Sequence, residues 1–211
     1  MKTYVVKINP KRPDKAKIAE CAQEVSAGKL VAFPTETVYG IAANFLDEKA
    51  IGNLYRIKAR PAHKPFTVNI ADIGAVESLG CTITKEALRL AKKFWPGPLT
   101  MVLPLRSGKT LGFRMPANKI ALELIKEAGV PVVAPSANLS GHKAPADPDE
   151  VLAQLDGKID MLIDAGPTDV GVESTVIDMT ATPPKILREG AIKREEIEKI
   201  MTNNKVQMAN E

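Results

Sequence analysis

The stretch "AFPTETVYGIA", residues 32–42, interrupts itself. An apolar run stops at Pro34, gives way to Thr35, Glu36 and Thr37, and resumes through Val38 and Tyr39 to Gly40. Proline keeps the residue before it out of the helical region and fixes its own φ, so the chain enters the polar triplet extended. One reading is a strand-end turn whose hydroxyls satisfy nearby backbone groups. The other is a strand end that presents hydroxyls to a crevice, where open α/β sheets bind ligands. The rest of the chain has to decide between them.

Working outward, KLVAF (29–33) reads as a buried strand and TYVVKI (3–8) as an earlier one. Between them, PDKAKIAECAQEVSA (13–27) is predicted helical, with Pro13 in its first turn, Ile18, Ala22 and Val25 on one face, and Gly28 beyond its end. Downstream, helices are expected over 47–58, 84–95 (opened by Thr84), 118–129 and 193–200, and another from Asp147 as N-cap with Glu150 in its first turn. Strands are expected over 66–70, 99–104, 111–116, 130–135, 160–164, 174–179 and 185–189. Several strand pairs lie too close for a helical crossover. The pattern therefore predicts an α/β fold: a single domain over residues 1–200 with a twisted, mixed parallel and antiparallel sheet flanked by helices. The polar stretch 201–211 reads as a fraying C-terminal tail.

With 211 residues, 45% hydrophobic and 26% charged, the chain has ample material for a core. No apolar run approaches the roughly 20 residues that span a bilayer, and MKTYVVKINPKRP lacks the apolar stretch of a secretory signal. Cys21 and Cys81 are the only cysteines, which suits reduced thiols in a cytoplasm. His63 and His142 stand far apart and make no zinc pattern, so any metal is expected to be magnesium arriving with a nucleotide. A net charge of +4 suggests an anionic partner. One tryptophan, three tyrosines and five phenylalanines are too few for an extended single-strand stacking platform.

Elsewhere, too, polar residues break the apolar pattern. KARPAHK (58–64) groups Lys58, Arg60 and Lys64 after a helix. The helix dipole alone favours cations there by roughly 0.3–1 kcal/mol each, yet Pro61 and Pro65 limit how far they can splay, which suits a phosphate equally well. APSANLSG (134–141) follows an apolar strand, with Ser136 and Asn138 two apart; it reads as a small-residue loop or as a hydroxyl and an amide turned to one ligand. Ser174 opens STVIDM, Arg114 sits in FRMP, and Arg188 interrupts a strand that otherwise reads as buried. A buried arginine needs an anion, supplied by an internal ion pair or by a ligand. No Walker loop, GxGxxG or GxSxG motif is present, and no histidine stands beside a nucleophile. What remains is equipment for positioning anionic reactants.

Taken together, "GKLVAFPTETVYGIA", "KARPAHKPFTVNI", "FWPGPLTMVL", "FRMP", "APSANLSG" and "ESTVID" followed by "ILREGAI" resemble the YrdC-type threonylcarbamoyl-adenylate synthases of tRNA modification, over roughly residues 15 to 195. The resemblance implies a sheet around a basic concave cavity. It also implies a cytoplasmic nucleotidyltransferase making threonylcarbamoyl-AMP and pyrophosphate from L-threonine, bicarbonate and ATP. A partner tRNA threonylcarbamoyl-transfer machinery would then install the t6A37 modification.

By the same resemblance, Lys58 and Arg60 are catalytic, gripping phosphates with Lys64. Thr37, with Thr35 beside it, Asn69, Arg114, Ser136 and Ser174 bind threonine, and Arg60, Lys64, Asn138 and Arg188 bind ATP. Many members carry His where this chain has Asn69, and Asn cannot titrate near neutrality. The chain resembles the short, single-domain form. A non-catalytic double-stranded RNA or tRNA-binding relative, or a sister enzyme for another carbamoyl donor, is the alternative.

Overall fold

The computed structural model describes residues 2–61 and 63–207. In chain order its elements are β1 (Tyr4–Lys7), α1 (Lys15–Ser26), β2 (Val31–Phe33), β3 (Gly40–Asn44), α2 (Glu48–Lys58), β4 (Thr67–Asn69), α3 (Gly74–Ser78), α4 (Lys85–Phe94), β5 (Leu99–Pro104), β6 (Thr110–Arg114), α5 (Lys119–Ala128), β7 (Val132–Val133), α6 (Pro148–Leu155), β8 (Met161–Asp164), β9 (Thr175–Asp178), β10 (Lys185–Arg188) and α7 (Arg194–Gln207). Helices begin where a short polar side chain can take the orphan amides of a first turn. Asp14, Asp47, Thr84, Asn118 and Asp147 each do so. Asp14 being the cap, Pro13 lies just outside α1 rather than in its first turn.

The strands join one sheet in the order β1-β8-β2-β3-β7-β4-β6-β5-β9-β10. β1–β8, β2–β8, β4–β6 and β5–β9 run parallel and the other pairs antiparallel, so the sheet is mixed as expected. β3 is a strand that the sequence did not announce: Gly-Ile-Ala-Ala-Asn is poor in β-branched residues. Its antiparallel neighbours β2 and β7 impose the conformation.

Successive residues of a strand point to opposite faces, and the two faces carry separate cores. Val31 and Phe33 pack with Ile18, Ala22 and Val25 of α1 and with Ile120 and Leu124 of α5. Ala32, Ile41 and Ala43 join the larger core that Leu54 of α2 and Leu90 of α4 cover. Each of the larger of these side chains, Val, Leu, Ile or Phe, contributes roughly 1.5–3 kcal/mol.

Toward β9 the covering becomes one-sided. Val68, Leu99, Met101, Leu103, Leu111, Phe113 and Ile177 enter the larger core, whereas the alternate residues Thr67, Asn69, Thr100, Gly112, Arg114 and Val176 line a cavity. The register agrees: Val102 lies opposite Gly112, Thr100 beside Val176, and Asn69 beside Arg114.

Two expectations change. β10 is the edge of the sheet, with Leu187 54% exposed, so Arg188 does not interrupt a buried strand. α7 runs to Gln207, beyond the expected 193–200; of the tail over 201–211, residues 208–211 lie outside the described residues.

Thr175 ties this edge down. Its buried hydroxyl accepts from the amides of Gly190 (2.8 Å) and Ile192 (3.1 Å) and donates to the Ile192 carbonyl (2.6 Å). Thr175→Val keeps the shape but orphans two amides and a carbonyl, and is expected to cost about 2–4 kcal/mol in urea unfolding.

Candidate active site

A cavity of about 420 Å³ opens on the uncovered sheet face. Its walls include Arg60, Lys64, Asn69, Arg114, Ser136, Ser174 and Arg188, residues drawn from well-separated parts of the chain. Three further residues singled out in the sequence, Thr37, Lys58 and Asn138, are buried and do not line it.

The polar triplet after β2 closes on itself. Thr35 Oγ1 accepts from the amides of Thr37 (3.1 Å) and Val38 (3.3 Å) and gives its proton to the Val38 carbonyl at 2.7 Å. Thr37 Oγ1, 2.9 Å away, must therefore donate to Thr35, which leaves it free to accept from Arg114 Nη2 at 2.7 Å. Thr37 is fully buried. The hydroxyls of the opening motif thus face an arginine rather than the cavity, and that arginine faces the cavity.

Lys58 and Arg60 part company at Ala59, which caps α2 in the left-handed conformation at φ 48°. The turn sends Lys58 inward. Its Nζ donates to the Ser136 carbonyl (2.5 Å), the Asn138 carbonyl (2.7 Å) and Asn138 Oδ1 (3.2 Å). Its ammonium thus sits on oxygens of the 136–138 loop and behind the cavity wall, whereas the resemblance puts it among the phosphate-gripping cations. Burial and the neighbouring Arg60 guanidinium lower its pKa to about 8, against a smaller raising effect of Glu173.

Asn138 is held in the same way, its Oδ1 accepting from Ser136 Oγ at 2.6 Å and its Nδ2 donating to the His142 carbonyl at 2.6 Å. Arg60 turns outward. It donates to the carbonyls of Lys64 and Pro65 and lies 5.2 Å over the Phe66 ring, which fixes a guanidinium at the cavity wall.

On the far wall Arg188 donates to the Ser174 carbonyl through Nε (3.2 Å) and Nη2 (2.9 Å), and pairs with Glu173 at 2.7 Å. Ser174 Oγ lies 2.9 Å from Thr100 Oγ1. Asn69 donates to the Ala134 carbonyl at 3.4 Å. Thr100, Gly112 and Glu173 belong to the site and were missed in the sequence. Thr100 could have been noticed as the one hydroxyl in LTMVLP. Gly112 shows only as a side chain that is absent, and a Cβ there would come within 3.2 Å of Thr67 Oγ1. Four cations line one hollow; Arg188 is paired with Glu173 and Arg114 with Glu36, so the surplus of positive charge comes from Arg60 and Lys64 and favours an anionic ligand.

A model of the Sua5/YciO/YrdC family, described as "Telomere recombination", matches residues 23–190. Threonylcarbamoyl-AMP synthase of Pyrococcus abyssi is 46% identical over 208 residues, covering 94% of this chain and 61% of the relative. Threonylcarbamoyl-AMP synthase of Bacillus subtilis is 42% identical over 194 residues, covering 87% and 56%. The crystal structure of P. abyssi Sua5 complexed with L-threonine matches with a TM-score of 0.90 at 45% identity, covering 95% of this chain and 61% of that one. The chain thus spans less than two thirds of the length of these relatives.

Lys58→Met should strand the carbonyls of Ser136 and Asn138 and cost about 2–4 kcal/mol, whereas Arg60→Ala should cost about 1 kcal/mol or less. The folded pKa of Lys58 lies below its ordinary 10.5, so between about 8 and 10.5 the unfolded chain holds that proton more tightly. Wild-type stability should therefore rise with pH across that window, and denaturant titrations of Lys58→Met should lack this rise.

Proposed function

The chain belongs to the Sua5/YciO/YrdC family, and from that premise we propose that it is an L-threonylcarbamoyladenylate synthase, a nucleotidyltransferase. It uses L-threonine, bicarbonate or CO2, and ATP, and serves t6A37 formation in tRNA. The observation that carries the reading is the cavity itself: Arg60, Lys64, Arg114 and Arg188 converge with the hydroxyls of Ser136, Ser174 and Thr100 and the amide of Asn69.

The amine of threonine takes up bicarbonate with loss of water, giving a carbamate. A carbamate oxygen attacks the α-phosphorus of ATP in line, the bond to the bridging oxygen breaks, and pyrophosphate leaves with that electron pair. Arg60, Lys64 and Arg188 hold the phosphates and offset the charge that grows on them, which is where such transfers gain most of their rate. Arg114 receives the threonine carboxylate as a permanent positive charge at the cavity wall. Ser174, Ser136 and Asn69 supply polar contacts to the amino acid. Magnesium would arrive on the triphosphate and take most of its ligands from phosphate and water, because Glu173, the wall carboxylate, is paired with Arg188 and no cluster of three metal-ligating side chains occurs among the described residues. When bound, the ion would neutralise phosphate charge.

No described helix is long and apolar enough to cross a membrane. We place the reaction in the cytoplasm, with a tRNA-modifying partner that collects the adenylate.

The test mixes protein, Mg-ATP, bicarbonate and threonine and follows pyrophosphate. Release should require threonine, and Arg60→Ala should lower kcat/KM by about 100-fold. Release that ignores threonine would defeat the proposal. ATP with threonine should also raise Tm. Affinity for double-stranded RNA that falls steeply with salt, without any such rise, would instead favour the non-catalytic RNA-binding reading.

A further inference from the structure

Glu36 stands in the middle of the opening motif and has no task in the site as described so far. It is 94% buried by exposure of 6%, and Arg114 is nearly as deep at 8%. Glu36 Oε1 lies 2.8 Å from Arg114 Nη2. Both carboxylate oxygens of Glu36 and Nε of Arg114 are nonetheless buried without a well-aligned hydrogen bond among the described residues. The contact is therefore an ion pair acting through charge at short range, in surroundings that screen it little.

The acid is also held still. The Glu36 carbonyl accepts from the Val170 amide at 2.9 Å, and the Thr37 carbonyl accepts from the Gly171 amide and the Thr168 hydroxyl, each at 2.9 Å. Thr37 Oγ1 accepts a hydrogen bond from the same Nη2 at 2.7 Å. One nitrogen of the guanidinium is thus anchored twice from behind, and Arg114 still lines the cavity.

We propose that Glu36 is a positioning residue for substrate recognition: it anchors Arg114 through Nη2 and so fixes the angle at which the guanidinium meets the carboxylate of the bound amino acid. The inference rests on the synthase reading given above, and it assigns Glu36 no contact with substrate. A neutral side chain of the same size leaves Arg114 tethered by Thr37 alone, free to turn away from the angle the ligand requires. A long anionic reactant gripped at the other cations would scarcely notice.

The experiment measures steady-state kinetics of Glu36→Gln and Glu36→Asp with threonine and ATP varied separately, alongside calorimetric titration of wild type and variants with threonine alone. For Glu36→Gln the expected result is a rise of about tenfold or more in KM for threonine, with KM for ATP moving less than about twofold and threonine affinity falling in parallel. Glu36→Asp, which keeps the charge but draws it back, should fall between wild type and Gln. It also serves where the Gln variant fails to fold. Combining Glu36→Gln with Arg114→Lys should cost less than the sum of the two, since both act on one guanidinium.

A threonine KM within twofold of wild type in the folded variants would overturn the proposal, as would an equal loss in every parameter, which is what a merely structural acid would give. Wild type that neither binds threonine nor needs it for pyrophosphate release would bring down the synthase reading and this inference together. Wild type that binds threonine no better than its Glu36 variants brings down the inference alone.

Discussion

A strand cannot turn two neighbouring side chains to the same side, and this sheet puts that restriction to use. Over β2, β3 and β8 both faces are covered, so consecutive residues are apolar whichever way they point. Over β4, β6, β5 and β9 only one face is covered, and every second residue there is released from the core. Those released positions hold Thr67, Asn69, Thr100, Gly112, Arg114 and Val176, a patch assembled by register alone from strands that are remote in sequence. The cationic loops after α2 and at β10 then close over it from two sides.

Seen from the patch, the polar triplet after β2 is a support. Thr35 folds the backbone, Thr37 passes that order to Arg114, and Glu36 supplies the opposite charge that makes a buried guanidinium tolerable. Lys58 gives the same service to the loop carrying Ser136. In both places the residue that meets the cavity is fixed by one that does not.

This layering explains what could be read in advance. Element types followed from capping residues and alternation: Thr84 and Asp147 open helices where they were expected to. β3 was missed because its conformation is set by neighbours rather than by its own side chains. Arg60, Lys64, Arg114, Ser136, Ser174 and Arg188, which the sequence offered as polar breaks in the pattern, line the cavity together with Asn69, which only the resemblance pointed to; a polar residue inside an apolar run must have a polar partner somewhere. Which partner it has is decided in three dimensions. Thr37, Lys58 and Asn138 satisfy the same rule with protein atoms, so their signal in one dimension is indistinguishable from that of a residue awaiting ligand. Glu36 looked like part of a turn because its arginine lies far along the chain.

The inward turn at Ala59 has a chemical consequence for an enzyme of the proposed kind. A mixed carbamic–phosphoric anhydride is an acylating agent, and an amine whose pKa is near 8 is the lysine most exposed to it in principle, being partly uncharged at neutral pH. The Lys58 amine has its hydrogens on oxygens of the 136–138 loop and does not line the cavity, so such an anhydride formed there would meet Arg60, never deprotonated and a poor nucleophile, in place of this amine.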